Sequence, residues 1–159
     1  PSSTVATTPV TTSPHDDTTT PAGDPLVEAI APGYAEYCAA AAPPSGAVEA
    51  IDCTPPNDPQ DLAYVQYPDR ASMDAAFDQL VLQSATTNDE DCRLDWGGRL
   101  TYQVAGANVG EVACPGLEEG PEEVWTNWNT DILGEATDEY WHPGDAYQWW
   151  VNNGESTDN

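Results

Sequence analysis

The chain contains no lysine, one Phe and one Met. Its cations are Arg70, Arg93 and Arg99, set against 28 acidic residues, which leaves a formal net charge of −25 over 159 residues. A surface of that sign cannot neutralise phosphates, so nucleic acid and anionic membrane are excluded as partners. Large apolar residues other than Trp and Tyr are scarce too: Leu, Ile, Val and Phe together number 23, or 14% of the chain. Low apolar content with high net charge is the composition of a disordered segment. No run approaches the roughly 20 apolar residues of a membrane-spanning helix. There is no C-x-x-C pair, no G-x-S-x-G and no internal repeat, and the histidines are limited to His15 and His142.

What is present opposes disorder. Thirteen Trp and Tyr residues lie after residue 33, together with four cysteines. Bulky rings need a core, so the sequence describes a small folded domain that must be stapled and must tolerate strong self-repulsion. Cys38, Cys53, Cys92 and Cys114 are spaced by 15, 39 and 22 residues, unlike the close pairs of a structural zinc site. Two disulfides fit better. Of the three connectivities, the shorter loops favour Cys38–Cys53 with Cys92–Cys114, each stabilising by roughly 3 kcal/mol. Disulfides imply an oxidising compartment, hence an extracellular, secreted or cell-surface protein. The chain opens at Pro1 without Met or a signal peptide, and the expectation is a processed segment whose targeting signal lies upstream.

Composition divides the chain into three parts. Residues 1–24 form a Thr/Pro-rich stalk or arm, with Ser or Thr at eleven of the first twenty positions and Pro9, Pro14 and Pro21 between them. Thr4, Thr7, Thr8, Thr11, Thr12, Thr18, Thr19 and Thr20 are its candidates for O-glycosylation. Residues 25–151 form the folded body, and 152–159 a polar tail. In the body, Asp24-Pro25 reads as an N-cap with Pro at the first helical position. The alanine-rich stretch 34–42 reads as a second helical piece, ended by Pro43-Pro44. Residues 47–53 alternate and 62–67 are β-prone, so both read as strands. Ser72 reads as the N-cap of a helix whose face carries Met73, Phe77, Leu80 and Val81. Residues 99–105 and 108–114 read as a hairpin about Gly106, and strands follow over 123–128 and 130–137. A closing helix over 144–151 carries Trp149 and Trp150. The expected fold is α+β, a single small domain with an antiparallel sheet packed against about three helices and two disulfides.

The four-cysteine frame, the Ser72-Met-Asp-Ala-Ala-Phe77 stretch, Gly110-Glu-Val-Ala-Cys114, Trp125-Thr-Asn-Trp128 and the closing Tyr147-Gln-Trp-Trp150 are familiar as a set. Over about residues 26–151 the chain resembles the extracellular domains of actinobacterial membrane Ser/Thr protein kinases and related secreted or lipoprotein-like surface proteins. The resemblance implies an external sensor, adhesion or wall-associated role. It carries over no catalytic residues.

Chemistry-bearing groups are few. A nucleophilic triad needs a base beside Ser or Cys, and His142, in Trp141-His142-Pro143, sits in a turn context. With 28 acids, neighbouring carboxylates arise by chance, so their abundance does not argue for a glycosidase. Asp89 and Asp91 offer hard oxygen ligands for a structural calcium ion but lack the EF-hand loop pattern. Trp125, Trp128, Trp141, Trp149 and Trp150 could stack on sugar rings, yet a chain this poor in aliphatics needs most of its Trp for the core. On a strand, residues 125 and 128 face opposite sides. The reading that results is a non-enzymatic cell-surface domain, a sensor or wall-binding module for an extracellular ligand, with no obligatory cofactor. The alternatives are a structural subunit of a glycosylated fibre or layer, joined to copies of itself through the N-terminal arm, and a carbohydrate-binding module.

Overall fold

Strand pairing between sequence neighbours builds most of the domain. A computed structural model describes residues 23–56, 61–83, 92, 98–115, 121–137 and 143–153. The elements are α1 (Pro25–Glu28), a 3-10 turn (Ala35–Tyr37), β1 (Cys38–Ala41), β2 (Glu49–Cys53), β3 (Asp61–Gln66) and α2 (Arg70–Gln83). After them come β4 (Arg99–Val104), β5 (Ala107–Ala113), β6 (Glu123–Asn127), β7 (Ile132–Thr137) and α3 (Pro143–Asn153). The seven strands form one antiparallel sheet in the order β1-β2-β3-β7-β6-β5-β4. Two meanders, β1–β3 and β4–β7, are therefore fused where β7 returns to lie beside β3. The fold is α+β, with disulfides Cys38–Cys53 and Cys92–Cys114, the pairing that loop length favours.

The sheet is covered on both faces. On one face, Met73 and Phe77 of α2 pack on Ala50, Val65, Tyr67, Ala113, Val124 and Leu133. On the other, Leu26 of α1 and Trp150 of α3 join Ile51, Leu62, Tyr64, Tyr102, Val112, Trp125 and Ile132. Aromatic edges replace the missing aliphatics there: Tyr102 meets Trp150 at 4.8 Å and Tyr64 meets Trp125 at 6.0 Å between centroids, both edge to face. Gly134 makes room for that core, because a Cβ on it would overlap the Trp125 indole.

Local signals explain most element ends. The Asp24 carboxylate accepts from Leu26 N at 2.9 Å, as an N-cap does. Ala105 and Gly106, at φ of 51° and 78°, close β4 onto β5 in a two-residue turn whose central residues both need positive φ. Two expectations need correction. Residues 38–41 form an edge strand instead of helix: pairing with β2, and the Cys38–Cys53 bridge within that pair, outweigh the modest helix preference of alanine. The cap of α2 is Asp69, whose carboxylate accepts from Ser72 N at 2.8 Å, so Ser72 already lies inside the helix. That same bond holds the Asp69 carboxyl below the usual range. The last helix also runs on to Asn153, into the segment read as tail.

Candidate functional site

A β-bulge lies beside an open concavity. Along the β4–β5 pair, Tyr102 faces Gly110 and Gln103 faces Asn108, which leaves Val109 as an extra residue on β5. Beyond the bulge the pairing of β5 with β6 is irregular. Register pairing is confined to Val112 with Trp125 and Ala113 with Val124, and Thr126 then bridges the strands by other means. Its hydroxyl accepts from Glu111 N at 3.0 Å, and its carbonyl accepts from the buried Tyr102 hydroxyl at 2.7 Å. Trp128 N returns to Val109 O at 2.7 Å. Gly110 permits this crossing, since a Cβ there would overlap both the Thr126 carbonyl and the Tyr102 ring.

Beside this junction is an open cavity of about 610 Å³ lined by Glu28, Val104, Ala107, Asn108, Val109, Asn127 and Asn129. Two of its amides are held in place. The Asn108 side-chain oxygen accepts from Gln103 Nε2 at 2.7 Å, and that of Asn127 accepts from Asn129 N at 2.9 Å in an Asx turn. The volume lies within the range typical of small-molecule sites. Its polar groups are three carboxamides and one carboxylate, around a floor from Val104, Ala107 and Val109. Such a lining offers paired donors and acceptors to hydroxyls and amides, and Glu28 disfavours anions.

On the α2 face, beyond the helix, a smaller groove of about 170 Å³ is lined by Asp52, Thr54, Asp61, Leu62, Ala63, Glu135 and Thr137. Burial, and secondarily the Asp52 charge across the sheet, push the Glu135 carboxyl up from its ordinary range. Burial and Glu135 together raise Tyr67. A deeper acid sits on the other face. Glu123 is fully buried, and neither carboxylate oxygen has a hydrogen-bond partner among the described residues. Burial alone pushes its carboxyl well above the usual range.

The tryptophans proposed as stacking platforms are placed mainly as core. Trp125 and Trp150 are buried and present no ring face to solvent. Trp149 is half-buried, its ring 6.2 Å from both Tyr34 and Trp125. Trp128, also half-buried, lies on the opposite side of the sheet from Trp125, as strand alternation requires, with the Arg70 guanidinium 3.7 Å over its ring. Trp141, the calcium candidates Asp89 and Asp91, and the eight stalk threonines lie outside the described residues. The bulge at Val109 and the cavity beside it have no distinct signature in the sequence; the one local signal, three asparagines flanking the tips of two hairpins, reads equally well as turn chemistry. No protein-family model, curated protein or solved structure matches the chain.

Proposed function

We propose that the chain is a non-enzymatic binding domain of the cell exterior, a sensor or wall-binding module that takes a small neutral, hydroxyl- or amide-bearing ligand in the bulge cavity. The observation that carries this reading is the cavity itself: about 610 Å³, walled by Asn108, Asn127 and Asn129 over an apolar floor. Bulges are used at sites to re-aim side chains, and here the extra residue Val109 lines the cavity between the two hairpin tips that supply the amides. Two disulfides support an oxidising location. No helix among the described residues is long and apolar enough to cross a membrane. The likeness of the cysteine frame to actinobacterial kinase ectodomains belongs to the same proposal, and a wall sugar is the ligand class it shares with the cavity.

Saturation-transfer NMR tests the proposal. N-acetylglucosamine and its neutral disaccharide should receive saturation from the wild type, and glucuronate should not. Ala107→Trp, at an exposed position lining the cavity, should fill the space and abolish the signal while leaving the circular dichroism spectrum intact. No transfer to any neutral sugar, or equal transfer from the filled variant, overturns the reading.

A further inference from the structure

The environment of Glu123 is unexplained by folding alone. A buried carboxyl without a partner costs stability, yet the sheet register aims this one at a specific pair of atoms. Val124 pairs with Ala113, so one step along the ladder Glu123 stands opposite Cys114, which is bonded to Cys92. The Sγ atoms of Cys92 and Cys114 and a Glu123 carboxylate oxygen all lie within 4.8 Å of one another, and all three residues are buried. Backbone bonds hold the frame: Cys114 N donates to Gly98 O at 3.0 Å, and Glu123 pairs with Ala136 of β7 on its other side.

We propose that Cys92, Cys114 and Glu123 form a metal site in the dithiol state of the protein, selective for a borderline-soft divalent ion such as Zn²⁺. Every disulfide is preceded by a dithiol, so the nascent chain passes through this state, and a dithiol reductant regenerates it. In that reduction the S–S bond takes up two electrons and two protons while the reductant closes its own disulfide. The two sulfurs then separate to non-bonded distance. A tetrahedral zinc ion, with Zn–S of about 2.3 Å, holds two sulfurs roughly 3.8 Å apart, and a carboxylate oxygen binds at about 2.0–2.2 Å. Metal entry displaces one proton from each thiol and one from the Glu123 carboxyl, and the fourth position is left to water. Two thiolates and a carboxylate exceed the ion's charge by one, so the loaded site carries a single negative charge, and its sulfur ligands select against Mg²⁺ and Ca²⁺, which take oxygen ligands. The site keeps Cys92 and Cys114 adjacent until oxidation joins them, and it gives the orphan carboxyl its partner.

The test uses the full chain, reduced with a phosphine under anaerobic conditions and titrated with Co²⁺, then with Zn²⁺ in competition. One Co²⁺ per chain should bind with the charge-transfer absorption of thiolate ligands and the visible bands of a tetrahedral ion, and Zn²⁺ should displace it. Cys92→Ser/Cys114→Ser should lose those bands, and Cys38→Ser/Cys53→Ser should keep them. Glu123→Gln should weaken both metals by roughly tenfold or more, since even outer-shell losses cost that much, whereas Glu122→Gln should not. Equal affinity in Glu123→Gln, or absence of thiolate bands on the reduced chain, overturns the proposal. Should the reduced chain be unfolded without metal, circular dichroism replaces affinity as the readout. Zn²⁺ must then restore the fold in the wild type at a concentration roughly tenfold or more below what Glu123→Gln requires, and equal requirements, or no refolding of the wild type, refute the site.

Discussion

Glu123 ties the stability of the oxidised protein to pH in a direction opposite to that of most carboxylates. It is fully buried on the aromatic face, and desolvation holds its proton well above the 4.5 of an unperturbed glutamate. In the unfolded chain the proton leaves near the ordinary value. Between that pH and the raised folded value the native state therefore binds one more proton than the unfolded state, and stability falls as pH rises. The slope for one such group is about 1.4 kcal/mol per pH unit. Below the ordinary value both states are protonated and the contribution is constant. Glu123→Gln removes the titration while keeping the shape of the neutral acid, so at about pH 4 the two proteins should differ by under roughly 1 kcal/mol. Above that, the variant should gain on the wild type by about 1.4 kcal/mol for each pH unit of the window. It should be the more stable protein at neutrality.

The assay is urea unfolding followed by Trp fluorescence from about pH 4 to about pH 8, with disulfides intact and salt held constant. The −25 net charge also destabilises as carboxylates ionise, but that background is shared, so the difference between the two proteins isolates one group. Parallel curves refute the reasoning: they would mean that Glu123 ionises in the folded state and therefore has a partner or water.

The other predictions concern packing and charge. Gly134→Ala drives a methyl into the Trp125 indole and should cost about 1–3 kcal/mol, read as a lowered Tm. Asp52→Asn removes the charge that faces Glu135, and NMR titration should find the Glu135 carboxyl moved down towards its ordinary value. Arg99→Ala severs bonds to Glu111 at 2.7 Å and Asp78 at 2.8 Å; with the side chain about a third exposed, the loss should be about 1 kcal/mol in denaturant unfolding. The Tm should rise from low salt to about 1 M NaCl, where the Debye length is roughly 3 Å, and a flat profile would remove self-repulsion as a term that matters.

Legibility followed the range of the interactions. The hairpin at Ala105-Gly106, the α2 stripe of Met73 and Phe77 and the cap at Asp24 depend on residues within one turn of each other, and they can be read directly. Loop length was enough to choose between the cysteine pairings. What could not be read needs a partner from elsewhere in the chain. The run 38–41 is strand because β2 lies beside it, and alanine itself gives no hint of that. The closure of β7 on β3 sets the sheet order, yet it joins residues some seventy positions apart. Glu123 did carry a local signal, since it shares strand parity with Trp125 and must therefore point inward. In a chain with 28 acids that signal was hidden by the expectation that carboxylates face water.

Positive charge is so scarce that its placement carries information. Two of the three arginines are described, and both hold α2 to the sheet. Arg70 opens the helix, pairs with Asp74 at 3.2 Å and lies over Trp128. Arg99, on β4, reaches Asp78 of the helix and Glu111 of β5 while its guanidinium sits 4.9 Å over Phe77. The opposite face is held by interlocked rings instead. The two faces should therefore answer salt differently. Screening weakens the Arg70–Asp74 pair within α2 and the Arg99–Asp78 pair that joins it to the sheet, each worth about 0–1 kcal/mol, and also relieves repulsion summed over a −25 surface. The aromatic face has only the second effect to feel. As salt rises, amide exchange should slow in β3, β6 and β7 while the helix gains least. An α2 that gained protection in step with the sheet would show that its arginines are incidental to how it is held.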